Sequence, residues 1–398
     1  MMSTKKLYDI DAYKTEFEAR VISCEKVEAG NSCDDAKEIY GVVLEQTLFF
    51  PEEGGQTPDK GSIDGKEVID VQIKDDVITH YLAEPIEEES MVKGIIDWQH
   101  RFFNMQQHSG EHLFSGLAHR KYGLKNVGFH LGNQIVTMDF DQALSDEQLK
   151  EMEWEINQAI VANVEIKTGY PSKEELAKMD YRSKIEIDGD VRIVEILGYD
   201  VCACCAPHVH RTGEIGIFKI QSVQNYKGGM RISFLCGFRA LEEYRRKSEI
   251  VAELSGVLTT NQENLVDHVT KLREQVHNLK VQLSNEKQLR MEQRLTEIPS
   301  EQRDVILFEQ GLETNVVRSV VNRLMEKHDG VCGLFVGDDI EGYQFIIGSK
   351  TVDCRELATK LRESFDARGG GKAQMIQGSL IAKEREIQSF LMSQRTEE

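Results

Sequence analysis

The hydrophobic positions divide the chain into regions of short apolar runs and one long stretch with helical periodicity. In residues 1–90, brief apolar runs alternate with turn-forming residues, which is the pattern of short strands. Gly54, Gly55 and Gly61 interrupt any regular element near the middle of this region. We therefore predict a small β-rich N-terminal domain that carries a glycine-bearing loop.

Residues 91–240 combine helical and strand patterns. The run DWQHRFFNMQQHSGEHLFSGLAHRKYG predicts a long helix that ends near Gly123. Ser145 and Gln148 form a capping box before a second helix with one apolar face. The run from Val191 to Ile196 predicts a strand that leads into a cluster of cysteines and histidines. We predict an α/β domain over this region.

Residues 241–298 have the spacing of a coiled coil. Apolar residues recur in steps of three and four with charged residues between them, at Leu258, Leu265, Val269, Leu272, Val276, Leu279 and Leu283. Pro299 marks the end of this segment. Such a seam either pairs with a second copy or folds back as a helical hairpin, and we favour a homodimer.

Residues 299–398 predict a second compact α/β unit. Its most distinctive stretch is a glycine run between two basic residues, formed by Arg368, Gly369, Gly370, Gly371 and Lys372. Glycines let backbone N–H groups approach an anion, so we predict that this loop contacts phosphates. It is not a Walker A loop, because Ala373 follows the lysine and the glycine spacing differs. The simpler alternative is a flexible loop.

Composition limits the class of protein. The 398 residues are 40% hydrophobic and 29% charged, which is typical of globular proteins. The net charge of −20 argues against a general nucleic-acid binder but not against a local basic surface. We see no membrane-span pattern and no signal-peptide core, and we expect a cytoplasmic protein with no membrane partner.

The candidate chemistry lies in two clusters. His108 and His112 are one helical turn apart on one face of the predicted helix. The run CACCAPHVH, 90 positions after His112, offers further candidate ligands at Cys202, Cys204, Cys205, His208 and His210. Thiolates and imidazoles together favour zinc. Both Cys204 with His208 and Cys205 with His208 fit the spacing.

The metalloprotease signature does not account for HSGEH. That signature needs glutamate directly after the first histidine, where Ser109 stands. One zinc ion per chain, bound mainly by imidazoles, fits a site that admits water or substrate. Zinc there would polarise an ester carbonyl, lower the pKa of water, or orient a substrate, and the sequence does not choose among these.

Four motifs, in order, resemble those of one family. TLFFPEEGGQTPDKG is similar to its glycine loop, MQQHSGEHLFS to its first zinc motif, and CCAPHVHRTGEIG to its second. RGGGKAQMIQG resembles the signature of the RNA-binding domain called DHHA1. The family is that of the AlaX-type alanyl-tRNA editing proteins, long form, which are similar to the editing and C-terminal parts of alanyl-tRNA synthetase. The resemblance covers essentially the whole chain.

The resemblance implies an activity and a set of site residues. It implies an α+β fold with a zinc-binding editing domain, and an aminoacyl-tRNA deacylase that removes serine or glycine from mischarged tRNA(Ala). It implies that the catalytic and metal-binding residues are His108, His112, Cys204 and His208. Thr47 and Gln56 are then candidates to contact a serine hydroxyl, and the glycine run would bind tRNA phosphates.

The sequence departs from the family at two places. Glu53 stands where the family loop has its first glycine, and Cys205, Ala206 and Pro207 replace Gly-Gly-Thr between two ligands. Cys205 or Cys202 thus stays an alternative ligand to Cys204. Two other functions remain: a zinc-dependent hydrolase of another aminoacyl ester or small molecule, and a non-catalytic RNA-binding protein with structural zinc.

Overall fold

The computed structural model of the protein describes residues 3–27, 38–132, 135–183 and 189–394. Helices and strands are mixed along the chain, as predicted. The chain forms two compact units, Met1–Ala252 and Glu253–Glu398, while the predicted division into four domains stays a prediction. Within the described ranges, no helix combines the length and the apolar character that crossing a membrane requires.

The first unit begins with a β-barrel. Strands close in the order β2, β3, β7, β6, β5, β8, while β1 pairs with β4 beside the barrel. The bounds are β1 Lys5–Lys6, β2 Glu16–Val27, β3 Ile39–Leu44, β4 Gln46–Thr47, β5 Gly61–Ile63, β6 Lys66–Lys74, β7 Val77–Leu82 and β8 Met91–Ile96. Because β8 pairs with β2 and β5, the barrel extends beyond residue 90.

Alternation of apolar and polar residues explains the barrel interior. Along β8, exposed and buried positions alternate without a break, so one row of side chains faces the core. The apolar interior contains fully buried aromatic and aliphatic side chains from barrel strands and from the segment that follows β4. Among them are Phe49, Phe50, Ile63, Ile78 and Leu82. This packing holds the start of the glycine-bearing loop against the barrel.

The rest of the first unit is built around one buried helix. Helix α1 (Trp98–Tyr122) starts at Asp97, whose carboxylate accepts from the His100 N–H, and ends at Gly123 with φ of 69°. The strands and helices that follow are β9 Asn126–Leu131, β10 Val136–Phe140, α2 Asp146–Val161, β11 Ile166–Gly169, α3 Lys173–Leu176, β12 Ile193–Ile196, β13 Asp200–Ala203, β14 Phe218–Tyr226, β15 Gly229–Cys236 and α4 Gly237–Val257.

Two sheets surround α1. One has the strand order β14-β15-β10-β9 and the other β11-β12-β13. Helix α1 packs against β9, β13, β15 and α2, which explains why it is buried along most of its length. Ser145 and Gln148 form the predicted capping box at the start of α2. A ligand pair on α1 therefore lies inside the unit.

The second unit begins with a long helix and continues as a sheet covered on both faces. Its elements are α5 Leu265–Glu297, β16 Val305–Glu309, α6 Thr314–Lys327, β17 Cys332–Asp338, β18 Gly342–Gly348, α7 Cys354–Ser364, β19 Asp366–Lys372, β20 Met375–Ile381 and α8 Glu384–Ser393. The sheet order is β16-β17-β18-β20-β19. One core joins the sheet to α7 and α8, and another joins it to α6 and the end of α5.

The predicted coiled-coil segment is helical but not continuous. Helix α4 ends at Val257 and α5 begins at Leu265, so Leu258 lies between the helices and outside the seam. The seam residues of α5 are exposed within this chain, at Val269, Leu272, Val276, Leu279 and Leu283. The first unit's boundary falls inside α4, at Ala252.

Candidate metal centre

The structure brings the four predicted ligands together. His108 and His112 come from α1, and Cys204 and His208 come from the segment that follows β13. One ligand atom from each of the four lies within 4.8 Å of every other. All three imidazoles are buried. The helix and the segment thus supply two candidate ligands each.

The spacing of these atoms fits a tetrahedral zinc site. Cys204 Sγ lies 3.6 Å from His108 Nε2 and 3.5 Å from His208 Nε2. Zinc bonds of about 2.0 Å to nitrogen and about 2.3 Å to sulfur, at a tetrahedral angle, place those atoms about 3.5 Å apart. The residues present therefore fit the ion that the thiolate and imidazole donors favour.

Each histidine is held by a partner on its other ring nitrogen. His108 Nδ1 lies 2.8 Å from Gln56 Oε1, and His112 Nδ1 lies 2.9 Å from Asp200 Oδ2. His208 Nδ1 lies 3.0 Å from Ser109 Oγ. When each Nδ1–H donates to such an oxygen, Nε2 is left unprotonated for a metal. The same arrangement also fixes the ring orientations.

Asp200 belongs to a buried charged network. Arg182 Nε and Nη2 donate to its two oxygens at 2.7 Å and 2.8 Å. Burial would raise the pKa of Asp200, but hydrogen bonds from His112 and Arg182 outweigh burial and hold this pKa below its ordinary value. The carboxylate therefore stays charged beside His112.

The protonation preferences of the cysteines single out Cys204. Burial opposes its thiolate, but the charge of His108 and hydrogen bonds from the surrounding histidines hold the Cys204 pKa well below the ordinary value. Burial raises the pKa of Cys202 to about 11, and burial likewise raises the pKa of Cys205. Burial lowers the pKa of His208 to about 3, so its imidazole is neutral.

Geometry also separates the alternative cysteine ligands. Cys202 groups with His112 and Asp200, but Arg182 already binds Asp200. Cys205 packs against the barrel core and faces Gly54, where an added Cβ would lie 3.6 Å from its Sγ. These contacts favour Cys204 as the thiolate ligand.

The glycine-bearing loop reaches the ligand set through a tight turn. Glu53 and Gln56 exchange backbone hydrogen bonds of 3.0 Å and 3.3 Å across Gly54 and Gly55, whose φ angles are 62° and 84°. Leu131 N–H donates to Gly55 O at 2.6 Å, which joins the turn to β9. A Cβ at residue 55 would overlap a backbone carbonyl oxygen of β9. Only glycine fits this turn without displacement.

A buried arginine secures the rest of that loop to α1. Arg101 Nε donates to both Asp59 oxygens, at 2.8 Å and 3.0 Å. Its Nη1 donates to Ala12 O at 2.9 Å, and its Nη2 donates to Leu48 O at 2.5 Å. The loop therefore begins and ends on a fixed framework.

Thr47 lies in the barrel core. Its Oγ1 is 2.8 Å from His80 Nε2 and accepts from the Phe49 N–H at 3.0 Å. Burial lowers the pKa of His80 to about 4, which keeps its ring neutral. The role of Thr47 in contacting an amino acid stays a prediction.

Sequence reasoning missed the residues that orient the ligands. Asp200, Arg182 and Ser109 were not predicted, although Asp200 is an acidic residue at the start of the otherwise apolar strand β13. Glu111, which lies between the two histidines of α1, is a further acidic residue beside the candidate ligands. It is buried, accepts from Ser115 Oγ at 2.7 Å, and its Oε2 lies 3.9 Å from His112 Nε2.

The glycine run in the second unit is a strand, so the prediction of a loop is wrong. Residues 366–372 form edge strand β19, which pairs along its length with β20. Cβ atoms at Gly369 and Gly371 would overlap backbone atoms of β20, which explains these two glycines. Arg368 and Gly369 also line a cleft of about 420 Å³ on the face that α6 covers in part.

Comparisons with known proteins find similar sequences for parts of the first unit and for nearly the whole chain. The model described as "Threonyl and Alanyl tRNA synthetase second additional domain" matches residues 191–233, and "tRNA synthetases class II (A)" matches residues 2–100. Alanyl-tRNA editing protein Aarsd1 of Danio rerio is 28% identical over 96% of this chain and 95% of its own length. Alanine-tRNA ligase of Ignicoccus hospitalis is 32% identical over 70% of this chain and 31% of its own length.

These matches show that the chain is similar to alanyl-tRNA editing proteins and to parts of alanyl-tRNA synthetases. Aarsd1 of Rattus norvegicus is also similar, with 27% identity over 96% of this chain and 96% of its own length. The chain resembles alanyl-tRNA editing proteins along nearly its whole length, and the resemblance predicted from the motifs is confirmed.

Proposed function

We propose that this protein is a trans-acting, zinc-dependent aminoacyl-tRNA deacylase. It cleaves the ester between serine or glycine and the 3′ end of tRNA(Ala). One observation carries the proposal: three imidazoles, each held through Nδ1, meet one low-pKa thiol in a set that fits zinc. Relatives named alanyl-tRNA editing proteins, similar over nearly the whole chain, supply the substrate class.

The need for such an activity follows from physical limits on selection. A pocket sized for alanine cannot exclude the smaller glycine, and it rejects an added hydroxyl only weakly. Differences of this kind are worth about 1–3 kcal/mol, so a second hydrolytic site improves accuracy. The reaction adds water across the ester and releases the amino acid and an intact tRNA.

The ligand set would be His108, His112, Cys204 and His208, all drawn from the first unit. Zinc bound there would polarise an ester carbonyl or lower the pKa of a bound water. Gln56, Asp200 and Ser109 would keep the imidazoles in the required tautomer. Arg182 keeps Asp200 charged, and this charge strengthens the hydrogen bond that holds His112.

The second unit would bind the tRNA through phosphate contacts. Arg368 lies beside the cleft and Lys372 ends the same exposed edge strand, β19. The outer edge of this strand carries backbone groups that β20 does not use. Local contacts of this kind are compatible with a net charge of −20, because phosphate binding depends on the nearby charges.

The exposed seam of α5 would pair with a second copy of the chain. Its apolar residues follow coiled-coil spacing and are between 44% and 61% exposed, from Val269 to Leu283. An apolar stripe of this kind is stabilised when another helix covers it. We therefore retain the homodimer as part of the proposal.

One rival function has specific support. A set of four protein ligands is the usual arrangement of a structural zinc site, whereas catalytic sites keep a position for water. In that case the protein would bind RNA without hydrolysing it. Loss of the metal would then unfold the first unit instead of leaving a folded, inactive protein.

The test is release of labelled amino acid from Ser-tRNA(Ala), Gly-tRNA(Ala) and Ala-tRNA(Ala), before and after treatment with a chelator. The proposal expects loss of serine or glycine, sparing of alanine, and chelator sensitivity with circular dichroism unchanged. Hydrolysis that survives complete zinc removal would exclude the metal's role. A folded, zinc-loaded protein that spares all three substrates would support the RNA-binding alternative.

A further inference from the structure

Three polar side-chain atoms on the glycine-bearing loop are buried without a hydrogen-bond partner in the described part of the chain. They are Glu53 Oε2, Gln56 Nε2 and Thr57 Oγ1. Gln56 as a whole is fully buried. Buried polar groups nearly always have partners, because an unpaired group loses its hydration without compensation. Three such atoms within five residues therefore point to a ligand.

The turn directs two of these side chains to one side. Glu53 and Gln56 form an antiparallel bridge, and residues directly opposite in such a pair project from the same face. The Gln56 amide oxygen already contacts His108, so its unpaired nitrogen lies beside the ligand set. Gly54, the residue after Glu53 in the turn, faces Cys205, the residue next to Cys204: a Cβ there would lie 3.6 Å from Cys205 Sγ. Both side chains therefore border the candidate metal centre.

The charge of Glu53 is not balanced by the arginines nearby. Arg192 donates to Cys204 O and Ala206 O, both at 2.9 Å, and its Nε lies 3.3 Å from Asp9 Oδ1. Arg101 is bound to Asp59. Glu53 takes part in no ion pair that the described residues form. A largely buried carboxylate of this kind favours a cationic ligand.

We propose that Glu53 binds the α-ammonium group of the aminoacyl substrate, with Gln56 Nε2 as the second polar group of the subsite. This inference rests on the proposed function. An aminoacyl ester carries its ammonium group on the carbon next to the reacting carbonyl, so an ester whose carbonyl lies at the ligand set would bring that cation toward the neighbouring glycine turn and Glu53. Gln56 Nε2 would donate to an oxygen of the substrate. The subsite thus selects esters with a free α-amino group.

The experiment compares Ser-tRNA(Ala) with N-acetyl-Ser-tRNA(Ala), using the zinc-loaded full chain. Acetylation removes the positive charge and leaves the ester in place. Wild-type protein should favour the free amine in kcat/KM by about 10- to 100-fold, the range expected of a hydrogen bond to a charged group. Glu53→Gln should lose most of this preference. Glu52→Gln is the matched control, because Glu52 is exposed and hydrogen-bonded to Gln72.

A second variant and a binding measurement keep the subsite separate from the proposed reaction. Glu53→Gly removes the side chain at a turn position, and calorimetry would measure binding of a stable 3′-amide analogue of seryl-adenosine, free or N-acetylated. If the wild type prefers the free amine and both Glu53 variants lose this preference, the result supports the subsite. That conclusion holds even if the protein hydrolyses no ester, because absence of hydrolysis would contradict only the proposed function. The subsite would be overturned if both variants kept the preference for the free amine, or if the wild type bound the free and the N-acetylated analogue equally well.

Discussion

Gln56 Oε1 lies 2.8 Å from His108 Nδ1, which joins the glycine turn of the barrel to the helix that carries two metal-ligand candidates. The two residues are far apart in sequence and come from different elements. Their contact makes the turn part of the candidate metal centre and not only a cover over it. Several consequences can be measured.

Replacing Asp200 with asparagine should weaken zinc binding about 10- to 100-fold, the usual cost of losing a partner of a ligating histidine. The charged acceptor of the His112 Nδ1–H would be lost and Arg182 would lose its carboxylate. Competition with a chromophoric chelator measures the affinity. Asp139→Asn is the matched control, because Asp139 forms a similar two-bond pair with Arg231 on another strand. Equal zinc affinities in the two variants would contradict the orienting role.

Gly55→Ala should lower deacylation more than Gly65→Ala does. Both glycines have positive φ, of 84° and 77°, so the backbone strain of the two substitutions is similar. A Cβ at residue 55 would overlap the carbonyl oxygen of Phe129, whereas nothing lies within 4 Å of a Cβ at residue 65. Steady-state kinetics with zinc-loaded proteins tests this difference. If both variants keep full activity, the position of the turn does not matter for the reaction.

Leu272→Glu combined with Leu279→Glu should convert a dimer to a monomer. Both residues are about half exposed on α5, so like charges would be placed along the predicted seam without disturbing the core. Sedimentation equilibrium measures the mass. Substituting the exposed Val223 of β14 by glutamate provides a control outside the seam. A monomeric wild-type protein would exclude dimerisation through α5.

Arg368→Ala should raise KM for Ser-tRNA(Ala) and leave turnover of a seryl-adenosine ester nearly unchanged. Losing one phosphate contact should reduce the slope of log affinity against log salt concentration by about 1. Filter binding at several salt concentrations measures that slope. Arg355→Ala is the control, because Arg355 on α7 is already paired with Asp353, the residue that caps this helix. An unchanged slope would remove Arg368 from the tRNA interface.

Local signals in the sequence predicted local structure well. The end of α1 at Gly123 and the capping box at Ser145 and Gln148 depend on residues within one or two turns, and both are confirmed. The prediction of a loop at residues 369–371 was wrong, because a glycine-rich sequence is typical of a loop when the strand that pairs with it is not known. Pairing with β20 makes it a strand, and that partner is not visible from the run itself.

For the candidate site, the sequence predicted the types of ligand residue but not the partners that orient them. The pairing of His108 with His112 follows from helical periodicity, and the density of cysteines marked the second cluster. Which cysteine faces the imidazoles depends on the path of the segment after β13, and sequence spacing left both Cys204 and Cys205 open. Gln56 reaches His108 only when the barrel packs against α1, and Asp200 reaches His112 only when β13 packs against α1, so no spacing indicates these contacts.

The most direct measurement is a zinc titration of metal-free protein, followed by hydrolysis of Ser-tRNA(Ala) at each point. We expect activity to rise in proportion to zinc and to stop rising at one ion per chain. We expect His112→Ala to stay inactive while its circular dichroism matches that of the wild type. Full activity in the metal-free protein, or in His112→Ala, would contradict the assignment of this histidine and cysteine set as the zinc centre of a deacylase.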